Sequence, residues 1–266
     1  MHRLRGGADL ETGWRDDPAA CKVLCATPQM WGSRLLFRGY GTSRLARPVE
    51  AGLLSYDSVV VLDEGHLNQQ LALTGQQVSR WEPKSVEGPQ PVQVVLTSAT
   101  QTPAGKSIGV NADDLETDAV LSQRLRSAKT LTVTTVKKSE KARVNALVDE
   151  CIAMADHAEP GTIGCVCNTV ATAVAVKQEL CKRLRNRGVA VEGLFGRMRP
   201  VDVMRLRQRH GGLFTLDGDP EVRFLVATQT VEVGIDMDLA GLVTEVAPGS
   251  ALVQRFGRVN RIGRRD

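Results

Sequence analysis

Short apolar runs rich in β-branched residues recur along this chain and alternate with stretches of helical spacing. That rhythm constrains the fold more than any other feature. Strands buried on both faces read as near-continuous Val/Ile/Leu runs, and parallel neighbours need a crossover between them. Strand runs fall at residues 22–26, 58–62, 92–97, 131–136, 161–167, 189–195, 222–227 and 242–246. Helical patterns fall at 30–38, 68–80, 140–155, 170–187 (closed by Gly188), 201–209 and from Ser250 onward. Residues 82–91 hold four Pro/Gly breakers and read as a loop, while 101–130 is a polar stretch between two series. The expectation is an α/β fold with two open parallel-sheet domains, residues 1–125 and 126–266.

Length and composition fit this. The 266 residues suit one large domain or two of ordinary size, and no apolar run approaches the ~20 residues of a bilayer span. The first nine residues lack the apolar core of a signal peptide, so the expected address is cytoplasmic, with no membrane contact. Cysteines at 21, 25, 151, 165, 167 and 181 form no Cys-x-x-Cys pair and read as buried, reduced thiols.

Charge is unevenly spread. Ten Lys/Arg against three acids occupy 177–209, whereas the whole chain is only +4. Clustered base on an otherwise acidic body suggests a polyanion partner, although 177–187 alone reads as a solvated helix face. With aromatics at 4%, binding to a nucleic-acid strand would rest on phosphates rather than on stacked bases.

Four segments carry chemistry. Asp63 and Glu64 end an apolar strand, and ligands of parallel sheets sit at the carboxyl ends of strands. Asp63 would hold Mg²⁺ through water, because Mg²⁺ dehydrates reluctantly, and Glu64 would polarise an attacking water. Ser98-Ala99-Thr100 closes the next strand with small hydroxyls that can bond back to those carboxylates or cap a helix. Residues 227–236 follow another strand with hydroxyls, Gly234 and Asp236. Finally, Gln254-Arg255-Phe256-Gly257-Arg258-Val259-Asn260-Arg261 sets two arginines three apart, on one face of a helix and within reach of one phosphate. Carboxylates for a metal and arginines for transferring phosphate are two parts of a nucleoside-triphosphatase.

In that order, Asp-Glu-x-His, Ser-Ala-Thr, Thr-x₅-Gly-x-Asp and Gln-Arg-x-Gly-Arg-x-x-Arg resemble motifs II, III, V and VI of superfamily 2 helicases. Gly6-Gly7 and Thr27-Pro28 resemble the strand-contacting motifs that precede motif II, and Cys167-Asn168-Thr169 resembles motif IV. A narrower resemblance lies in residues 33–41, 47–54 and Asp63-Glu64-Gly65-His66-Leu67. It is to the helicase–nuclease of type I CRISPR systems, best to the subtype once labelled U and now G.

The resemblance implies two RecA-like domains, with ATP and Mg²⁺ as cofactors. It also implies single-stranded or unwinding DNA and a CRISPR surveillance complex as partners. By position it assigns Asp63 to Mg²⁺, Glu64 to water and His66 to coupling between domains. Ser98 and Thr100 would link hydrolysis to strand movement. Gly234 and Asp236 would approach the nucleotide, with Gln254, Arg258 and Arg261 facing its phosphates. Gly7, Thr27, Asn168, Thr169, Arg197, Arg199 and Thr228 would line the nucleic-acid groove.

Two departures stand out. Within these residues Gly105-Lys106-Ser107 is the only Gly-Lys-Ser, and a phosphate loop would need Gly where Thr100 stands. The four histidines, at 2, 66, 157 and 210, form no His-Asp nuclease pattern. The sequence thus reads as a helicase core shortened at both ends, its first domain N-terminally incomplete, and inactive alone for lack of a phosphate cradle. A non-catalytic nucleic-acid-binding remnant and a superfamily 2 helicase outside CRISPR defence are the competing readings.

Overall fold

The computed structural model describes residues 1–4, 12–81, 87–98, 108–196, 198–232 and 234–265. Two compact units emerge, Met1–Lys106 and Ser107–Asp266. This division falls ahead of the 125/126 boundary expected from sequence. The reason lies in helices α4 (Ala112–Thr117) and α5 (Ala119–Arg126), whose chain is tied into the second unit. Gln123 Nε2 donates to the Gly263 carbonyl at 2.8 Å, and Ser127 Oγ donates to that of Asn260.

In the first unit, β1 (His2–Leu4) pairs in parallel with β2 (Leu24–Ala26). Helix α1 (Pro28–Leu35) follows, with Pro28 at its first turn and the Thr27 hydroxyl accepting the Met30 N–H. Helix α2 (Arg47–Ser55) leads into β3 (Val59–Leu62), and α3 (Gln69–Trp81) crosses over to β4 (Gln93–Leu96), parallel to β3. Leu4, Trp14, Trp31, Leu35 and Leu54 form the core here.

Buried Glu50 is the polar hub of this unit. It meets Arg34 at 3.4 Å and Arg15 at 3.1 Å and accepts the Thr42 hydroxyl at 2.9 Å. A Cβ on Gly39 would approach Glu50 Oε2 to 2.8 Å, so a larger residue there would displace the carboxylate from this hub. Residues 33–54 therefore read as a packing signature as much as a functional one.

The second unit is a four-stranded, wholly parallel sheet of order β6-β7-β5-β8, with β5 (Ile163–Val166), β6 (Ala190–Leu194), β7 (Val222–Ala227) and β8 (Gly241–Thr244). Helices α6 (Glu140–His157), α7 (Val170–Arg183), α8 (Pro200–Arg209) and α9 (Gly249–Phe256) connect and cover it. Two apolar clusters fill the space on either side: one around Val148, Ile163, Val176 and Leu180, the other around Val166, Leu206, Leu225 and Val231. Ser139 and Thr169 cap α6 and α7 through their hydroxyls.

Several expectations need correction. Strand β3 is not buried on both faces: Val59 and Val61 are 62% and 60% exposed. Residues 131–136 alternate like a strand but pair with none among the described residues, and Leu131 and Val133 lie in solvent. The polar stretch 101–130 holds two helices, each started by a side-chain cap, Asn111 and Asp118. Helix α7 ends four residues early, the chain turning through 184–188 to Gly188 at φ +63°. Only half of the cysteines are buried: Cys151, Cys165 and Cys167 are, whereas Cys21, Cys25 and Cys181 are exposed.

Candidate nucleotide-handling sites in the two units

At the carboxyl tip of β3 the Asp63 carboxylate is exposed. Its Oδ1 accepts the Thr97 hydroxyl at 2.8 Å and the Glu64 N–H at 3.1 Å, while Oδ2 accepts no bond among the described residues. An exposed, oriented carboxylate of this kind suits Mg²⁺ held through water. Glu64 sits at φ +50°, a left-handed conformation rare for a side-chain-bearing residue, and Gly65 N–H closes the turn onto the Thr97 carbonyl at 2.8 Å. His66, whose side chain lies outside the described structure, belongs to the 3-10 turn Gly65–Leu67. The hydroxyl seen on Asp63 thus comes from Thr97, a residue earlier than the Ser98–Thr100 segment singled out by sequence. Ser98 is half-buried beyond β4, and Thr100 lies outside the described residues.

Beside the capped start of α1 runs a groove of about 610 Å³, lined among others by Pro28, Ser33, Arg38, Tyr40 and Asn68. Thr27 itself is spent on capping. Gly7 lies outside the described residues.

In the second unit, the carboxyl ends of β5, β7 and β8 share one edge of the sheet. Asn168, just past β5, donates its backbone N–H to Glu245 Oε2 at 2.6 Å and its Nδ2 to the Val246 carbonyl at 2.8 Å. Thr169 is the cap of α7. Thr228 is buried, its hydroxyl accepting the Gly196 N–H at 3.1 Å. Capping and burial give these residues positioning work.

Arginine geometry decides what this edge can do. Helix α9 stops at Phe256, and Asn260 turns at φ +41°, so Arg258 and Arg261 do not share a helical face as expected. They converge all the same. Arg261 Nη2 lies 3.0 Å from Asp236 Oδ1, and Arg258 Nη1 lies 4.0 Å from the same oxygen. Arg258 is 8% exposed and donates to the carbonyls of Val231 (3.0 Å) and Glu232 (2.7 Å), so it shapes the loop after β7. Gly234, at φ +78°, gives that loop a conformation glycine favours. Arg261 is more open and Asp236 is 68% exposed; such a surface pair is worth only about 0–1 kcal/mol, so an incoming phosphate can displace Asp236 cheaply. Gln254 is half-buried on α9.

Sequence reasoning passed over Arg255. Its side chain is 3% exposed and joins all three strand ends: Glu232 at 2.9 Å, the Thr244 hydroxyl at 2.7 Å, the Glu245 carbonyl and Asn168 Oδ1, each at 3.1 Å. Asp238 was missed as well. It is buried, accepts the Arg261 N–H and pairs with Arg265, which fixes the backbone from which Arg261 projects.

Much of the basic stretch is neutralised. Lys177, Lys182, Arg183, Arg187, Arg199 and Arg209 each pair with an acid, and Arg207 stacks 4.7 Å over Phe214. Arg199 meets Asp202 through two bonds of 2.8 and 3.0 Å, and that pairing holds the carboxyl of Asp202 below the usual range. Arg197 lies outside the described residues. No helix among the described residues is long and apolar enough to cross a membrane.

Residues 159–264 match the family described as CRISPR-associated nuclease/helicase Cas3, C-terminal. That segment, under half of the chain, is similar to the C-terminal part of Cas3. A curated relative, the CRISPR-associated endonuclease/helicase Cas3 of Escherichia coli K12, is 36% identical over 97 residues, 36% of this chain and 11% of the relative. Cas3 of T. fusca, solved with AMPPNP, superposes with a TM-score of 0.61 at 20% identity over 90% of this chain and 30% of that one. Structures of the T. fusca protein with ATP and with ADP are also similar. The DUF1998 helicase MrfA bound to DNA gives 0.51 at 16% identity, covering 97% of this chain and 34% of that one. These likenesses show that the chain shares its parallel α/β fold with part of each of these proteins. The chain spans only about a third or less of each of these relatives. The Cas3-like region contains the Asn168, Glu232, Asp236, Arg255, Arg258 and Arg261 constellation just described.

Proposed function

We propose that this chain is core sequence of an ATP-dependent DNA helicase or translocase of CRISPR antiviral defence. The first unit offers Asp63 and Glu64 for Mg²⁺ and water. The second offers Arg261, with Asp236 and the backbone-anchored Arg258, for the phosphates and sugar of a nucleotide. One observation carries this reading. Inside the Cas3-like region, the half-buried Arg261 is held in place by buried Asp238 and is ion-paired, among the described residues, only with the exposed, displaceable carboxylate of Asp236. Arginines so placed stabilise charge on a transferring phosphoryl group.

Bound Mg²⁺ and ATP would supply the leaving phosphate and its charge neutralisation. The residues of this chain orient water and carry positive charge. Because the 266 residues contain no Gly-x₄-Gly-Lys-Ser/Thr, the chain by itself would not turn ATP over.

A chimera tests the proposal: residues 159–264 of this chain replacing the corresponding segment of the E. coli relative. Strand unwinding should persist in the chimera, and Arg261→Ala should cut it by about 10³, the scale of an arginine finger. A folded chimera that does not unwind, or one indifferent to Arg261→Ala, would overturn the reading.

A further inference from the structure

The opposite edge of the second sheet, where β7 begins, carries a cluster that the helicase reading leaves unused. His210 caps the C-terminus of α8, and Asp219 and Glu221 lie on the turn leading into β7. Their ligand atoms all fall within 4.8 Å of one another. His210 Nδ1 is 3.4 Å from Asp219 Oδ2 and 3.9 Å from Glu221 Oε2. Nδ1 is fully buried and makes no hydrogen bond among the described residues; the two carboxylates face it at ion-pair distance but leave its hydrogen-bonding capacity unmet, which costs free energy unless something meets it.

We propose that His210 Nδ1, Asp219 and Glu221 bind a divalent transition-metal ion of the Zn²⁺ type, with water as fourth ligand. Donors about 2.0–2.2 Å from a tetrahedral Zn²⁺ are roughly 3.3–3.5 Å apart, so the His210–Asp219 edge already has the required length. Glu221, 77% exposed, needs only a small swing of its side chain. On the far side of the ring, Glu192 Oε1 lies 3.6 Å from Nε2. That contact is slightly longer than a hydrogen bond; a small rotation of Glu192 on metal binding would let it receive the distal N–H and fix the tautomer that frees Nδ1 for metal. Lys177 and Arg209 pair with Glu192, so its charge is balanced without reaching the three ligands.

The backbone is arranged for this as well. A Cβ on Gly212 would sit 2.2 Å from the Gly218 carbonyl oxygen, so glycine lets the loop after α8 press against the turn before β7. Asp219 Oδ1 accepts the Glu221 N–H at 3.0 Å, which orients the carboxylate. A metal here would clip α8 to the start of β7. An imidazole with two carboxylates favours Zn²⁺ over Mg²⁺.

The test uses the full 266-residue chain with exposed Cys21, Cys25 and Cys181 replaced by Ser, which removes rival thiol ligands. Zn²⁺ is titrated in competition with a chromophoric chelator, and melting is followed by circular dichroism. One Zn²⁺ should bind per chain and raise Tm, with Mg²⁺ inert. Glu221→Gln should weaken Zn²⁺ at least tenfold while leaving the metal-free Tm unchanged, since the side chain is exposed. Glu192→Gln should weaken it about tenfold, the low end of the effect of losing a carboxylate behind a ligating histidine. Absence of saturable binding in the cysteine-substituted chain would overturn the assignment, as would unaltered affinity in both variants.

Discussion

Replacing Arg255 with Met keeps most of its volume and removes its charge, and the structure lets the cost be worked out. Glu232, only 15% exposed, would lose its 2.9 Å partner, and the Thr244 hydroxyl, the Glu245 carbonyl and Asn168 Oδ1 would each lose a donor. Stranding one member of a buried ion pair costs about 3–5 kcal/mol. Partial access of water to Glu232 puts the expectation near the lower end, about 3 kcal/mol. With a urea m-value of about 2 kcal/mol/M, the midpoint for the second unit should fall by about 1.5 M. Hydrogen exchange at β5 and β7 amides, followed against urea, reads that unit alone. In Arg255→Met/Glu232→Gln the loss should shrink, giving a coupling of about 1–2 kcal/mol. A single-variant loss under about 1 kcal/mol, or no coupling, would refute the view that Arg255 ties the strand ends together.

Purified alone, the 266-residue chain should show no DNA-stimulated ATP hydrolysis above background; turnover of the order of 1 s⁻¹ would contradict this. Asp202→Asn unpairs Arg199 and should tighten single-stranded DNA binding and steepen its salt dependence by up to about one unit; an unchanged slope in fluorescence anisotropy would leave Arg199 on a solvated face. Iodoacetamide on the native chain should label Cys21, Cys25 and Cys181 but spare the other three. The reason is access together with protonation: the Cys151 thiol beside Cys165, the Cys165 thiol beside Cys167, and burial of both push these pKa values up, so thiolate is scarce. Labelling of Cys167 before denaturation, detected by peptide mass spectrometry, would count against the packing described.

The strands were legible where burial on both faces writes itself into composition, as at β7, whose bounds match the apolar run residue for residue. Residues 131–136 show the converse. Alternation describes a face that could pack, and nothing in a local window says whether a partner strand is there. Helices α4 and α5 escaped notice because short helices in polar sequence rest on caps such as Asn111 and Asp118, which also suit turns. At the site, Asp63 and Asp236 were readable as chemistry-bearing residues after strands, and Arg261 as one beyond the last helix. Arg255 was not, because whether an arginine is a strut or a solvated charge depends on contacts with Asn168, Glu232 and Thr244 brought in from three other segments. The His210 cluster hid for the same reason. Its members are nine and eleven positions apart and meet only because two glycine-containing turns touch.

Trp14 and Trp31 sit in the core of the first unit and Trp81 ends α3, and residues 107–266 contain no tryptophan. Indole emission is therefore a private signal of residues 1–106. Ellipticity at 222 nm, to which α6 and α7 contribute heavily, leans toward the other unit. Recording both along one denaturation separates the two halves without cutting the chain. Coincident curves would mean that they melt as one cooperative body, and an early fluorescence change would mean that the first half lets go while the sheet of the second still stands.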